Sequence, residues 1–364
     1  AMLLCYWCFG YGAWLCLALM LAAGIIAHHQ KLSALLAVGI LLLPATQYPA
    51  TTWWSKPDLD REYVLSLDVE HYFGNIQKMR KHLETDRQIL WVTYYRNLYN
   101  ATHPSEINSP VSLSRNLLAW NQPGTNGLIL PVNPSASFLS ILFANELWFT
   151  LGDMTMAEHC AMLSMIFSPR NSGSRMIKRL AEINLVNGDD EAALKYLRIL
   201  DKTLLHKSWA EKRIPGQQTP QVKEWLEKKR RDIPTQDQLR SGNDAVTSLQ
   251  NLVASNAGNL RAYEYLLCYH LLSKDLRSFV EDYVPGKVSS PIFAEALLIH
   301  LARQGNIRTE ELIKYQIPVE IAKEFADYTR LYEAKDTSLR EKYGKTYWFY
   351  YHFATTEPGK ESKP

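Results

Sequence analysis

The sequence contains few cysteines, and they form no pattern that would build a disulfide framework or a metal site. Five occur in 364 residues, and Cys5, Cys8 and Cys16 fall within an apolar N-terminal run. The other two, Cys160 and Cys268, lie on the apolar stripes of predicted helices, where a free thiol behaves as a small core residue. Cysteine usage therefore predicts neither a disulfide scaffold nor a zinc domain, and it leaves the redox compartment open.

Short motifs of common enzymatic chemistry are also missing. The sequence contains no G-x-S-x-G, no Walker loop, no H-E-x-x-H and no paired Cys-x-x-Cys motifs. Glu158, His159 and Cys160 are consecutive, and consecutive helical residues point about 100° apart, so they are not expected to meet at one substrate atom. We predict no catalytic residue, no cofactor and no metal ligand, although enzymes without such motifs exist.

Charge is nearly absent from residues 1–55, where Lys31 is the one formally charged side chain, and it is dense and balanced afterwards. The whole chain carries 40 basic and 37 acidic residues. Such a balance lacks the sustained positive field that phosphate binding requires, so nucleic acid is not an expected partner. The basic run at residues 228–231 lies among acidic residues and indicates a solvated helix face, with a phosphate or lipid head-group contact as the alternative.

The uncharged N-terminal run predicts two transmembrane helices, over approximately residues 2–27 and 32–54. The first segment exceeds the roughly 20 apolar residues that cross the hydrocarbon core of a bilayer. Trp53 and Trp54 suit the membrane interface, where an indole ring can keep its polar edge in water. The lipid bilayer is therefore an expected partner of the N-terminal part.

An internal repeat emerges when Gly152-Asp153 is aligned with Gly188-Asp189, an offset of 36 residues. Large and small apolar positions then recur together, and Glu146 aligns with Glu182. In the second copy, residues 174–187 predict one helix and residues 191–205 predict a returning helix. Recurrence of this kind is typical of stacked helix pairs, each of which buries its apolar faces against its neighbours.

The second copy resembles the tetratricopeptide repeat. Ala181 and Gly188 lie where that family places small residues, Ala193 and Leu197 match its second-helix packing positions, and Asn184 departs from a position that is usually aromatic. Less regular helix pairs flank the two core pairs. The predicted fold is all-α: an N-terminal transmembrane helical hairpin followed by a tetratricopeptide-like α-solenoid of about five to six helix pairs.

The sequence divides into residues 1–55 with the two spans, residues 56–335 with the helical repeats, and residues 336–364 with an aromatic C-terminal cap and a polar tail. Insertions interrupt the repeats near residues 121–133 and 212–238. The first is expected to be an ordered loop, either a packing strap or part of a binding rim. The second is expected to project from the stack. The C-terminal aromatic cluster could shield the last repeat or form a peptide-binding or membrane-touching surface.

Three segments carry a wider resemblance: SPRNSGS at 168–174, MIKRLAEINLVNG at 176–188 and KTLLHKSWA at 202–210. They resemble an uncharacterised family of Bacteroidales membrane proteins, in which several spans precede a helical-repeat domain and no function is assigned. The resemblance implies an integral protein of the bacterial inner membrane and a chain that is a piece of a longer one. It supplies no catalytic residues. The side of the membrane on which the repeat domain lies is left open, with a slight preference for the periplasmic side.

The first functional hypothesis is a membrane-anchored protein-interaction scaffold or adaptor without catalytic activity, whose concave face binds a protein or peptide partner. The first helices of the core pairs supply four candidate partner-binding residues: Asn145, Trp148, Lys178 and Asn184. The alternative is a regulatory soluble domain of a larger multi-span transporter or membrane enzyme. Ionisable residues within further membrane spans would favour that alternative.

Overall fold

The computed structural model describes residues 56–84, 87, 89–103, 113–121, 124–133, 136–168, 173–235 and 244–354. All regular secondary structure in these ranges is helical, which confirms the all-α prediction for this part of the chain. Residues 1–69 and 70–364 form two compact units, and only residues 56–69 of the first unit are described.

The predicted transmembrane hairpin is contradicted. Its two spans, residues 2–27 and 32–54, lie outside the described residues, and none of the described helices is both long and apolar enough to cross a bilayer. The longest of these helices, Lys56–Tyr72, has 17 residues and carries several charges, whereas a span needs roughly 20 apolar residues. On this finding the predictions of a transmembrane hairpin and of an integral inner-membrane protein were wrong.

The described helices follow one another through turns and short loops. In chain order they are α1 Lys56–Tyr72, α2 Ile76–Leu83, α3 Leu90–Thr102, α4 Leu117–Trp120, α5 Phe138–Leu151, α6 Met154–Phe167, α7 Ser174–Asn187, α8 Asp190–Asp201, α9 Lys207–Glu211, α10 Pro220–Arg230, α11 Ala245–Ser255, α12 Leu260–Leu272, α13 Leu276–Asp282, α14 Pro291–Arg303, α15 Thr309–Lys314, α16 Val319–Glu333, α17 Leu339–Tyr343 and α18 Tyr347–Phe353. The sequence patterns predict most of these helices but not α9, α11 and α17.

Helices α5 to α8 form two pairs in series. Helix α7 begins and ends 36 residues after α5, and α8 begins 36 residues after α6. Each of these helices packs against the next along the chain. The sequence offset therefore coincides with a repeated helix pair in the structure.

The two pairs share the same turn between their helices. Gly152 and Gly188 end the first helices with positive φ angles of 91° and 81°, a conformation that only glycine adopts without strain. The carboxylates of Asp153 and Asp189 then accept from the N–H groups of Met156 and Ala192, at 2.9 Å each, and so cap the second helices. A glycine followed by an aspartate is thus the local sequence of this turn.

The first insertion folds onto the helices as an ordered loop over residues 124–133. Leu128 and Leu130 are buried. The side-chain amide of Asn97 on α3 donates to the carbonyl O of Gly127 at 2.8 Å. Burial of the apolar residues and this hydrogen bond fix the loop against the helices.

The second insertion does not project from the stack, so that prediction was wrong. Helix α10 packs against α7, with Val222 and Leu226 buried. The guanidinium of Arg230 donates to the carbonyl O atoms of Leu185 and Val186, at 2.7 and 3.0 Å. The last carbonyls of a helix have no partner within it, and Arg230 supplies one for the end of α7, which holds the insertion down.

The aromatic C-terminal residues form α17 and α18, and α18 packs against α14. Tyr347 and Trp348 are fully buried. The Tyr347 hydroxyl donates to the carbonyl O of Leu271 at 2.9 Å, and the Trp348 indole donates to the carbonyl O of Glu295 at 3.0 Å. The rings therefore cover α12 and α14, while the polar tail from residue 355 lies outside the described residues.

Candidate functional site

Basic side chains from three parts of the chain meet around aromatic rings beside α7. We call Arg175, Lys178, Arg179, Arg213 and Lys229 the cationic cluster. The first three come from α7, where their i, i+3, i+4 spacing places them on one face. Arg213 follows α9, and Lys229 belongs to α10 of the second insertion.

Lys178 lies between two rings. Its Nζ is 4.7 Å from the ring centroid of Tyr72 and 4.8 Å from that of Trp209, and it donates to the Tyr72 hydroxyl at 2.5 Å. The guanidinium of Arg213 lies 4.1 Å from the same Trp209 centroid. The negative faces of aromatic rings attract cations, so Trp209 holds two positive charges close together.

Glu146 on α5 is the buried counter-charge of the cluster. Its carboxylate accepts from Arg175 at 2.8 Å and from Arg179 at 2.6 Å, and His71 Nε2 lies 3.6 Å away. Burial alone would raise the pKa of the Glu146 carboxyl, but Arg179, Arg175 and His71 hold that pKa well below its usual range. The carboxylate is therefore ionised, and it forms ion pairs with both arginines.

Lys229 is the most perturbed cation of the cluster. Its Nζ lies 4.5 Å from the ring centroid of Phe149, and the guanidinium of Arg179 lies 3.8 Å from the same centroid. Burial, together with the positive charges of Arg179 and Arg261, lowers the pKa of Lys229 to about 8. Burial likewise lowers the pKa of Arg213. At both cations the effect of burial outweighs the attraction of nearby carboxylates, which are Glu182 for Arg213 and Asp232 and Glu182 for Lys229.

Positive charge exceeds negative charge at this site. Five cations of the cluster are accompanied by Glu146 and by Glu182, whose carboxylate lies 3.2 Å from Arg179 Nη1. Within the described part of the chain, no ion pair joins Lys178, Arg213 or Lys229 to a carboxylate. Half-buried cations that form no ion pair cost free energy, and an anionic ligand would neutralise them.

The four residues predicted from the sequence to bind a partner do not form one site in the structure. Asn145 is fully buried and donates to the carbonyl O of Ala157 at 2.6 Å, which ties α5 to α6. Trp148 is also buried, and Asn184 donates to the carbonyl O of Leu180 in its own helix at 2.7 Å. Lys178 alone of the four belongs to the cationic cluster. Partner binding by these four side chains stays a prediction.

Sequence reasoning misses most of the cluster. The spacing of Arg175, Lys178 and Arg179 is a local pattern that indicates a basic helix face, and it could have been used. Lys229 falls in the basic run that indicates a solvated helix face, whereas the structure half-buries it on a ring from α5. That contact joins residues 80 positions apart, and no local pattern predicts it.

Comparison with known families gives one result. The profile of a family of unknown function, DUF6057, matches residues 35–354. No curated protein and no solved structure matches the chain. The match covers most of the sequence and confirms the prediction of an uncharacterised family. The chain belongs to the DUF6057 family of unknown function.

Proposed function

We propose that the chain is a non-catalytic helical-repeat adaptor that binds an acidic segment of a partner protein on the cationic cluster. The observation that carries this proposal is the excess of positive charge beside α7. Lys178, Arg213 and Lys229 lie against aromatic rings and form no ion pair with a carboxylate among the described residues, although Glu182 lies near enough to attract Arg213 and Lys229. An acidic segment would supply the missing negative charges.

A segment of a protein fits the site better than a single small anion. The three cations that form no ion pair come from α7, from the residues after α9 and from α10, and they lie against two different rings, Trp209 and Phe149. Carboxylates spaced along an extended segment could reach these cations one by one. Its apolar side chains could pack on the half-buried Trp209 ring, since aromatic and arginine side chains often anchor interfaces.

The helix pairs provide the rigid support that such a surface needs. Helices α5 to α8 stack in series, and the Glu146 carboxylate fixes Arg175 and Arg179 through two short ion pairs. We infer that these pairs are tetratricopeptide-like units of an α-solenoid, because their 36-residue period and glycine turn fit that repeat. Repeat proteins of this kind use extended surfaces to bind peptides.

The test compares two triple variants of the full chain. The cluster variant carries Lys178→Glu, Arg213→Glu and Lys229→Glu. The control carries Lys202→Glu, Lys212→Glu and Lys223→Glu, at positions that are exposed, and changes the net charge by the same amount. Circular dichroism and thermal melting of both variants establish that they fold.

Affinity capture with the wild-type chain and both variants, followed by mass spectrometry, identifies a partner, and fluorescence anisotropy then measures binding of its labelled acidic segment. We expect the cluster variant to lose affinity by at least roughly 100-fold, because truncation or reversal of a desolvated charge pair costs several kcal/mol. The control should bind within a few-fold of wild type, and added salt should weaken binding. Equal binding by the two folded variants, or the absence of any acidic segment that binds the wild type, would overturn the proposal.

A further inference from the structure

The loop between α8 and α9 exposes two adjacent leucines. Leu204 is 97% exposed and Leu205 is 85% exposed. Ile199, in the last turn of α8, is 49% exposed. Single apolar side chains are ordinary on protein surfaces, but neighbouring ones mark a contact with a partner or with a membrane. This loop is therefore a candidate docking surface.

The loop has a fixed shape. The Thr203 hydroxyl donates to the carbonyl O of Leu200 at 2.7 Å and accepts from the backbone N–H of His206 at 3.2 Å. On either side of the loop, Leu200 and Ala210 are buried in one core cluster. The two leucines are thus held outward by a hydrogen-bonded turn whose flanks are packed.

The equivalent end of α6 adds to this apolar surface. Ile166 is 62% exposed and Phe167 is 48% exposed. Met165 of α6 and Tyr196 of α8 pack against the same buried cluster, so the C-terminal parts of these two helices are neighbours in the stack. Both helix ends therefore expose apolar side chains along one edge of the repeats. We call this surface the apolar edge, and its members are Ile166, Phe167, Ile199, Leu204 and Leu205.

Positive charge accompanies the leucines. Residues 198–207 include three basic side chains, Arg198, Lys202 and Lys207, and one acidic side chain, that of Asp201. Arg198 and Lys202 are exposed, and within the described ranges neither forms an ion pair. Lys207 lies 3.9 Å from Glu211, but both side chains are more than half exposed, and such pairs contribute little. Exposed apolar side chains beside basic ones are typical of surfaces that bind anionic lipid.

We propose that the apolar edge docks on an anionic lipid surface, with Leu204 and Leu205 among the acyl chains and Arg198 and Lys202 at the head groups. A fluid lipid surface fits these leucines better than a folded partner does, because acyl chains adapt to protruding side chains, whereas a protein needs a matching pocket. Such docking is peripheral and requires no spanning helix. None of these residues belongs to the cationic cluster, so lipid docking and acidic-segment binding are separate properties with separate tests.

The test measures docking locally, because the apolar run of residues 1–55 could itself attach the full chain to vesicles. Leu204→Cys places an environment-sensitive dye on the apolar edge, and Ile313→Cys places the dye at another exposed apolar position, on α15. In both chains the three N-terminal cysteines are replaced by serine, and the two remaining cysteines are buried. Vesicles with nitroxide-labelled acyl chains quench a dye that enters the acyl region.

With vesicles of phosphatidylcholine and phosphatidylserine, we expect strong quenching at position 204 and little at position 313. Phosphatidylcholine alone should require at least roughly tenfold more lipid for the same quenching, since each basic side chain near an anionic surface contributes about a factor of five. Arg198→Glu together with Lys202→Glu should cause a similar loss at position 204. Lys323→Glu together with Lys345→Glu, at two exposed positions elsewhere, is the matched control and should cause none.

Circular dichroism establishes that all of these chains fold. The absence of quenching at position 204 would overturn the proposal and leave a folded partner as the occupant of the apolar edge. Equal quenching at positions 204 and 313 would also overturn it, as would equal quenching at position 204 in the two charge-reversed chains.

Discussion

Glu146 and Glu182 occupy equivalent positions of two consecutive helix pairs, and both form ion pairs with the guanidinium of Arg179. The distances are 2.6 Å to Glu146 and 3.2 Å to Glu182. The repeat thus provides the same acidic residue twice, and Arg179 joins the two copies. The two carboxylates differ in their surroundings, because the side chain of Glu146 is 6% exposed and that of Glu182 is 17% exposed.

This difference predicts unequal effects of the same substitution. Glu146→Gln removes the buried charge that Arg175 and Arg179 share and leaves the buried Arg179 with Glu182 as its remaining ion-pair partner. We expect it to lower the free energy of unfolding by about 3–5 kcal/mol, the usual result of breaking a buried pair from one side. Glu182→Gln should cost no more than about 1 kcal/mol. Urea denaturation of both variants measures the difference, and equal losses would contradict the role of Glu146.

The equivalent glycines Gly152 and Gly188 offer a second matched comparison. Both have positive φ angles, so alanine at either position carries the penalty of the left-handed region, roughly 1 kcal/mol. At position 188 nothing lies within 4 Å of an added Cβ atom, whereas at position 152 the Cβ would collide with the carbonyl O of Asp232. Gly152→Ala should therefore lose at least about 2 kcal/mol more stability than Gly188→Ala.

Thermal melting and urea denaturation of the two alanine variants test this expectation. Gly188→Ala serves as the internal control, because it shares the backbone strain but lacks the collision. Melting of both variants at the same temperature would show that the segment around Asp232 is not packed against the first turn.

Glu295 on α14 predicts a dependence of stability on pH. Its carboxylate accepts from the backbone N–H of Tyr347 at the start of α18. Burial, together with the nearby negative charge of Glu324, raises the pKa of Glu295 to about 7. The folded state therefore holds a proton that the unfolded chain has released, so the stability contributed by this group falls as pH rises from about 4.5 to 7.

Glu295→Gln keeps an oxygen that can accept from Tyr347 but never ionises. We expect the variant to unfold with a free energy similar to that of the wild type at about pH 4.5 and about 2–3 kcal/mol higher at about pH 8. Urea denaturation across this pH range measures the difference between the two proteins. A difference that stays constant with pH would mean that Glu295 titrates normally in the folded chain.

Local signals predict the turn between α7 and α8 and the bounds of α7, but the predicted end of α8 at residue 205 was wrong, because the helix ends at Asp201. Long-range contacts are not predicted by local signals. Gly188 indicates a helix end in the left-handed conformation, and Asp189 indicates the N-cap of the next helix. The turn between α7 and α8 can therefore be located from the sequence. Lys274, two residues after the end of α12, has a φ angle of 59°, and lysine is not a residue type from which that conformation would be predicted. The contact between Lys229 and Phe149 forms because α10 packs against α7. Such tertiary packing cannot be predicted from local sequence.

One part of the candidate site could likewise be predicted from local sequence, and another part could not. The basic face of α7 can be predicted from the spacing of Arg175, Lys178 and Arg179. The burial of Trp148 cannot be predicted from its position on the first helix of a pair. A tryptophan in that place can face a partner or the core, and here Trp148 is buried and lines a cavity together with the loop of residues 124–133. That loop lies outside the helix repeat, so the repeat does not predict how the loop packs.

Lys229 gives the final prediction, which links the pKa of one lysine to the proposed binding of an acidic segment. With its pKa at about 8, Lys229 loses its positive charge as pH rises through 8, and the attraction for a carboxylate falls with it. Lys229→Arg retains the charge at every accessible pH, because arginine does not deprotonate in proteins. We expect wild-type affinity for the acidic segment to drop several-fold between about pH 7 and 9, while the affinity of Lys229→Arg stays nearly constant. Fluorescence anisotropy at fixed ionic strength measures both curves. Parallel curves would show that Lys229 does not contact the segment, whereas divergence above about pH 8 would place its ammonium group in the binding interface.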